Sequence, residues 1–216
     1  LISKYNNQKQ LWWVYWLING GLLFFILDFL YTQSRVVLTI SVLTVAAAII
    51  LFGNYCYCAY QQRIRKKVDE QMKVSLLSVL MMILPVIFLL AIIVVMAWSE
   101  NENINLVISY GFIIFFGWIT AIILGMTFKT LPFIIWNKVY HRLAGKGKAP
   151  NPKDLFSHNV FKYMAVAYIL GFVLFVAGIL FTNTIILQVA AVFLLLTAVL
   201  YNFNVIKLLI HKAGEV

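Results

Sequence analysis

Long apolar runs separated by short polar stretches make up most of this chain. Six of these runs have about 20 residues or more, which is the length that a helix needs to cross the hydrocarbon core of a bilayer. The pattern predicts an all-α integral membrane protein, a single domain over residues 1–216 with six transmembrane helices. The predicted helices cover about residues 11–31, 36–60, 74–98, 106–131, 153–181 and 185–210.

The fourth run is the one around which we expect the others to pack. It carries no charge from Leu106 to Met126 and is apolar on all sides. Gly117, Ala121 and Gly125 are spaced by four residues, so an α-helix would align them on one ridge without bulky side chains. Such a ridge lets a neighbouring helix approach closely. We therefore predict a packing role for these residues; the alternative is that the smooth face lines a ligand groove.

The end of the fourth run, at Lys129 and Pro132, is a candidate site for polar interactions. A span that starts near Leu106 ends near Met126, which places the Lys129 ammonium at the headgroup level with its stem in the acyl region. The alternative is that Lys129 faces the interior and binds a proton, an anion or a carboxylate. Pro132 has no N–H, so it leaves the carbonyl of Phe128 without its usual helical partner.

The segment after Pro132 is amphipathic, with Trp136 on its apolar face and His141 on its basic face. We expect the helix to bend at Pro132, so that residues 133–143 lie in the interface. A straight helix would instead lift four large apolar side chains into water. The alternative is a packed extension, with Trp136 covered by the next helix or by the loop at residues 146–151.

Two further groups are candidates for function. Asp28 and Arg35 flank the turn after the first helix, and we predict an ion pair between them at the outer interface; a buried carboxylate relay is the alternative. His158 lies four residues before Lys162, a spacing that is more typical of a solvated helix face than of a ligand pair.

The distribution of charge predicts the orientation. The net charge of +10 would fit a nucleic-acid partner, but with both termini in the cytoplasm Arg35 is the only one of 17 basic residues outside. This satisfies the positive-inside rule, so we expect a multi-pass protein of the bacterial inner membrane. The predicted partners are the bilayer, anionic lipid at its cytoplasmic face and other membrane subunits or further copies of the chain, with no nucleic acid.

Several kinds of chemistry are not supported by the sequence. The three histidines lie outside the predicted spans, so we predict no haem site, and Cys56 and Cys58 point apart on a helix and cannot grip one metal together. We expect no cofactor, no metal site and no catalytic residue. A membrane enzyme acting through Lys129, His141 and His158 is the least favoured alternative.

One segment resembles a known family. Gly117-Trp118, Gly125-Met126, Lys129, Pro132-Phe133 and Trp136 make residues 109–152 similar to a helix of bacterial haem–copper oxidase subunit I-like membrane proteins. The resemblance implies a bundle of about twelve helices with histidine ligands to haem and copper. No histidine of this chain lies at such a position, so only the scaffold is carried over.

The sequence therefore favours a non-catalytic membrane subunit, or scaffold half, of a respiratory-type assembly. Six helices without an initiator methionine would suit the C-terminal half of a longer chain. The alternative is a transporter or carrier of a small or apolar solute, because prolines interrupt helices at depths where transporters often bind their substrates.

Overall fold

The computed structural model describes residues 3–32, 34–64, 69–98, 103–141 and 150–212. Within these ranges it is helical, with six helices long and apolar enough to cross a membrane, so the predicted all-helical architecture is confirmed. These candidate spans are Gln8–Tyr31, Arg35–Gln61, Glu70–Met96, Ile104–Tyr140, His158–Leu180 and Thr184–Leu209. The predicted acidic loop with Glu100 and Glu102, Leu143 and the loop at 144–149 lie outside the described residues.

The chain divides into two compact units. The first contains Leu1–Val68 and Leu77–Trp118, and the second contains Asp69–Leu76 and Ile119–Val216. In the first unit α1 (Gln8–Leu27) packs along α2 (Arg35–Gln61), and α4 (Ile83–Trp98) contacts α2 and α5 (Ile104–Phe112). In the second unit α7 (His158–Leu180) packs along α8 (Thr184–Leu209), and α6 (Thr120–Tyr140) contacts α8.

The predicted third span consists of two helices. One residue, Met82, separates α3 (Glu70–Met81) from α4 and forms the turn between them. Pro85 is the third residue of α4, a first-turn position where its missing N–H removes no helical hydrogen bond. The break in this span therefore lies at Met82, three residues before Pro85, and not at the proline.

The predicted fourth span is longer and less regular than expected. It runs for 37 residues from Ile104 to Tyr140, which at 1.5 Å per residue is roughly 55 Å and exceeds a hydrocarbon core of about 30 Å. Its middle, Ile113–Ile119, is a π-helix rather than the α-helix that the Gly117 spacing assumed. Gly117, Ala121 and Gly125 are nevertheless all buried.

α6 continues without interruption through Pro132, which is buried. The expected flat segment after Pro132 is therefore replaced by the packed extension. Trp136 is half-buried, and its indole N–H donates to the Pro150 carbonyl oxygen at 2.6 Å. Ile135 and Tyr140 are buried as well, so this part of α6 is covered by the protein, while Phe133 stays exposed.

The fifth span begins later than predicted. Asn151 caps a single 3-10 turn, Pro152–Leu155, and α7 begins at His158 with Ser157 as its N-cap. The break between them is extended backbone at Phe156, whose side chain is buried. Asn151 and Pro152 therefore start this separate turn and not the fifth span, which has its own cap at Ser157.

The α7–α8 hairpin is joined by the tight turn that the sequence predicts at residues 182–184. The N–H of Asn183 donates to the Gly178 carbonyl at 3.0 Å and that of Thr182 to the Ile179 carbonyl at 3.1 Å, which together make a Schellman motif. Asn183 then caps α8 by accepting from the N–H groups of Ile185 and Ile186. One residue thus ends the turn with its backbone N–H and starts the next helix with its side chain.

Candidate functional site

Most of the residues singled out in the sequence lie in the second unit, around the segment from Pro150 to Ser157. This segment, which we name the strap, lies between α6 and α7 in the chain and contacts α6. Its polar and aromatic contacts reach α3, α6, α7 and α8. The strap and its contacts therefore form the candidate site.

An aromatic cluster forms the apolar part of the site. Phe128 of α6 is 2% exposed, and its ring lies 5.5 Å from Phe156 of the strap, 5.4 Å from Phe161 of α7 and 5.5 Å from Tyr201 of α8. The last two contacts are edge-to-face, the geometry that aromatic quadrupoles prefer. The Tyr201 hydroxyl is also 3.3 Å from that of Thr127. One side chain of α6 therefore joins three elements.

An asparagine holds the strap to α8. Asn204 is fully buried, its Oδ1 accepts from the Ser157 N–H at 3.0 Å, and its Nδ2 donates to the Ser157 carbonyl oxygen at 3.2 Å. Ser157 is the N-cap of α7, so the Asn204 amide bonds the backbone at the point where the strap ends and α7 begins. The sequence shows Asn204 only as a polar residue in an apolar span; that signal predicts a buried hydrogen bond but not its partner.

Two ion pairs join the strap and α7 to the start of α3. Lys153 Nζ lies 2.6 Å from Asp69 Oδ1, and Lys162 Nζ lies 3.3 Å from Glu70 Oε1. All four side chains are between one-third and three-fifths exposed, so each pair contributes at most about 1 kcal/mol. Both pairs lie where the strap and α7 meet the start of α3, so they fix the position of these segments more than they add stability.

A tyrosine–histidine pair joins α6 to the end of α8. Tyr140, the last residue of α6, is buried and its hydroxyl oxygen lies 2.9 Å from His211 Nε2, just after α8. Which atom donates depends on the histidine tautomer. Neither residue was singled out in the sequence, since both stand at helix ends where hydrogen bonding between elements leaves no periodic signal.

The predicted site residues are thus only partly brought together. Trp136 and Pro132 lie in the site, whereas Lys129, His141 and His158 have exposed side chains, with the His158 ring 4.7 Å from that of Phe156. The exposed position of Lys129 is the one expected for the headgroup interpretation; no ion pair of Lys129 occurs among the described residues.

Gly125 belongs to the close contact of α6 with α3. A Cβ atom at this position would lie 2.7 Å from the backbone nitrogen of Ser75 and 2.8 Å from the Gln71 carbonyl oxygen. The two helix backbones therefore meet here with no space for a side chain, which is how small residues bring membrane helices together. Gly117 is buried in the first unit.

Asp28 and Arg35 are in the first unit and do not form the predicted ion pair in the part of the chain that the structure covers. Asp28 is buried in a short π-helix, and its Oδ1 accepts from the Ser34 N–H at 2.9 Å. Ser34 is the N-cap of α2, so the carboxylate lies where the helix dipole favours negative charge. Arg35, the first residue of α2, is exposed.

The site as a whole has the chemistry of a structural junction. Its polar groups bond to one another across elements, and within the described ranges no three His, Cys, Asp or Glu side chains are grouped so that they could hold a metal ion.

Comparison of the chain with models of protein families, with curated proteins and with solved structures found no match. The similarity of residues 109–152 to oxidase subunit I-like proteins therefore stays a prediction.

Proposed function

We propose that this protein is a non-catalytic integral membrane subunit, or scaffold half, of an assembly of the respiratory oxidase type. The observation that carries the proposal is the low burial of its spans. Only 11–39% of the most apolar window of each candidate span is buried within the chain. The remaining apolar surface is available to lipid and to the helices of partner chains.

Open glycine positions in the first unit support partner binding. A Cβ atom built on Gly20, Gly53 or Gly111 would meet nothing within 4 Å. Each glycine costs helix stability relative to alanine, and small residues are what lets another helix approach in lipid. The resemblance of residues 109–152 supplies the class of assembly, and the positive-inside pattern supplies the bacterial inner membrane and the cytoplasmic termini.

The test is isolation of the full chain from its native membrane in a mild detergent. We expect other membrane chains to co-purify, with a visible haem spectrum if the assembly is of the oxidase type. A Gly111→Leu variant should lose partners that dock beside Gly111, whereas Ile108→Leu, a matched change at an exposed position of the same helix, should retain them. A stable preparation of this chain alone would contradict the proposal.

A transporter is the second candidate, and one observation favours it. The Ser109 hydroxyl is fully buried and has no hydrogen-bond partner in the described part of the chain, and the π-helix begins four residues later. π-helical turns occur often at functional sites. A hydroxyl in this position would suit a solute path.

Cysteine labelling separates the two candidates. In a chain with Cys56→Ala and Cys58→Ala, Ser109→Cys should react with a membrane-impermeant thiol reagent if water reaches the buried side of the fourth span next to its π-helix. The scaffold proposal predicts no reaction at this position. Tyr31→Cys, which is 81% exposed at the end of the first span, provides the labelling control.

A further inference from the structure

A groove at the start of the first unit is left unexplained by the scaffold proposal and does not depend on it. The groove is open, has a volume of about 490 Å³, and is formed by α1, α2 and the segment before α1. Asn7, Lys9, Trp13 and Asn54 line it. A second groove of about 430 Å³ adjoins it, shares Lys9 and Trp13, and adds Trp12.

The floor of the groove is held by hydrogen bonds. Gln10 Nε2 donates to the Leu51 carbonyl oxygen at 2.8 Å, which joins α1 to α2. The Tyr5 hydroxyl donates to Gln10 Oε1 at 2.8 Å, and the Tyr5 ring lies 5.3 Å from that of Tyr55. The Lys4 N–H donates to the Gln62 carbonyl at 3.2 Å, so the N-terminal segment is bound to the end of α2. The groove is therefore preformed.

The polar wall offers donors and positive charge without acidic neighbours. Lys9 makes no ion pair within the described residues, and the sequence has no Asp or Glu at positions 1–27 or 29–68. Asn54 Oδ1 takes the weak bond from the Cys58 thiol at 3.7 Å, and its Nδ2 has no acceptor in the part of the chain that the structure describes. This wall suits an anion.

The other wall suits hydrocarbon. Trp12 and Trp13 are each 57% exposed, and their rings meet edge-to-face at 5.4 Å. Trp13 lies one turn beyond Lys9 on α1, which is about 6 Å along the axis. The headgroup layer is about 5–8 Å thick on each side of the core, so Lys9 can lie among phosphates while Trp13 lies at the acyl boundary.

We propose that this groove binds one anionic phospholipid, with Lys9 and Asn54 on its phosphate and Trp12 and Trp13 against its acyl chains. Phosphate at one end and chains at the other match the two walls in order and spacing. The site thereby fixes one lipid between α1, α2 and the N-terminal segment. Such a lipid would neutralise the charge of Lys9, the basic residue that lines the groove.

The test is native mass spectrometry of the full chain, released from a mild detergent containing phosphatidylglycerol or phosphatidylcholine with identical acyl chains. We expect one tightly retained phosphatidylglycerol and no equivalent phosphatidylcholine. Lys9→Gln should weaken retention about tenfold, the effect of losing one charge-assisted hydrogen bond. The matched control is Lys207→Gln, an exposed lysine on α8, and it should retain the lipid as the wild type does.

Two further measurements test the phosphate end and the acyl-chain end of the site separately. Inorganic phosphate at millimolar concentration should not displace the lipid, because it lacks chains for the tryptophans; displacement would show an anion site only and overturn the proposal. Trp13→Ala should reduce retention while circular dichroism shows unchanged helix content. Equal retention of both lipids, or equal retention by Lys9→Gln and Lys207→Gln, would also overturn it.

Discussion

Single polar side chains decide how the strap is held, and Asn204 is the clearest case. Its amide bonds both backbone groups of Ser157 from inside an apolar helix. A buried backbone group that loses its partner costs about 1–3 kcal/mol, so this one side chain contributes at least as much as an exposed ion pair.

Asn204→Leu should therefore lower the free energy of unfolding by about 1–3 kcal/mol, because it leaves the Ser157 N–H without its acceptor, while the Ser157 carbonyl keeps its bond from the Phe161 N–H. Unfolding of the detergent-solubilised protein by increasing SDS measures this. Asn202→Leu is the control: Asn202 is exposed and bonds only the Ala198 carbonyl of its own helix, so its effect should stay within about 0.5 kcal/mol. Equal losses would show that Asn204 has no special role.

Thr182 is a second residue whose conformation affects the stability of the protein. Its φ of 51° places a β-branched side chain in the left-handed region, at the helix-ending position where glycine is usual. Thr182→Gly should raise the free energy of unfolding by about 0.5–1 kcal/mol, since relief of backbone strain outweighs the entropy that glycine loses. Thr184→Gly, in the first turn of α8, should lower it. A loss with Thr182→Gly would contradict this account of the turn.

Pairs of elements meet where glycine removes the side chain. On α7, a Cβ at Gly171 would lie 3.1 Å from the Leu194 nitrogen, and one at Gly178 would lie 3.1 Å from the Leu187 nitrogen. The glycines are seven residues apart and so are the two leucines, as expected for antiparallel helices in register. This spacing is visible in the sequence, but the partner helix is not.

The contact of α6 with α3 yields a sharper prediction. Gly125→Ala should destabilise the protein by about 1–3 kcal/mol, because the added carbon meets the backbone of α3, which cannot rotate away as a side chain can. Gly111→Ala should be neutral or stabilising, since its face is open and alanine favours helix. Thermal unfolding of both variants in one detergent compares them. A harmless Gly125→Ala would mean that α3 and α6 are not in backbone contact.

For the whole molecule, the charge distribution predicts orientation. With both termini inside, alkaline phosphatase fused after position 34, 101 or 182 should be active, and fusions after 66 or 147 should be inactive. The reason is that basic loops are retained on the cytoplasmic side. Activity at 66 or 147 would reverse the predicted topology.

The sequence by itself determined the helices, because an apolar run of about 20 residues that must satisfy its backbone in lipid has only the helix available. It also indicated the tight turn at residues 182–184, whose backbone effects act over a few residues, but it did not place the break of the third span at Met82 or the start of α7 at His158.

Only the tertiary structure decided which residues meet. The strap's polar contacts with α8 and with the start of α3 join positions 47 and 84 residues apart, in Asn204–Ser157 and Lys153–Asp69, and such pairs leave no periodic mark in the chain. A tertiary contact also decided how α6 continues after Pro132. The sequence shows the apolar area that has to be covered, but the cover for Trp136 comes from Pro150, and a helix that is covered does not have to bend.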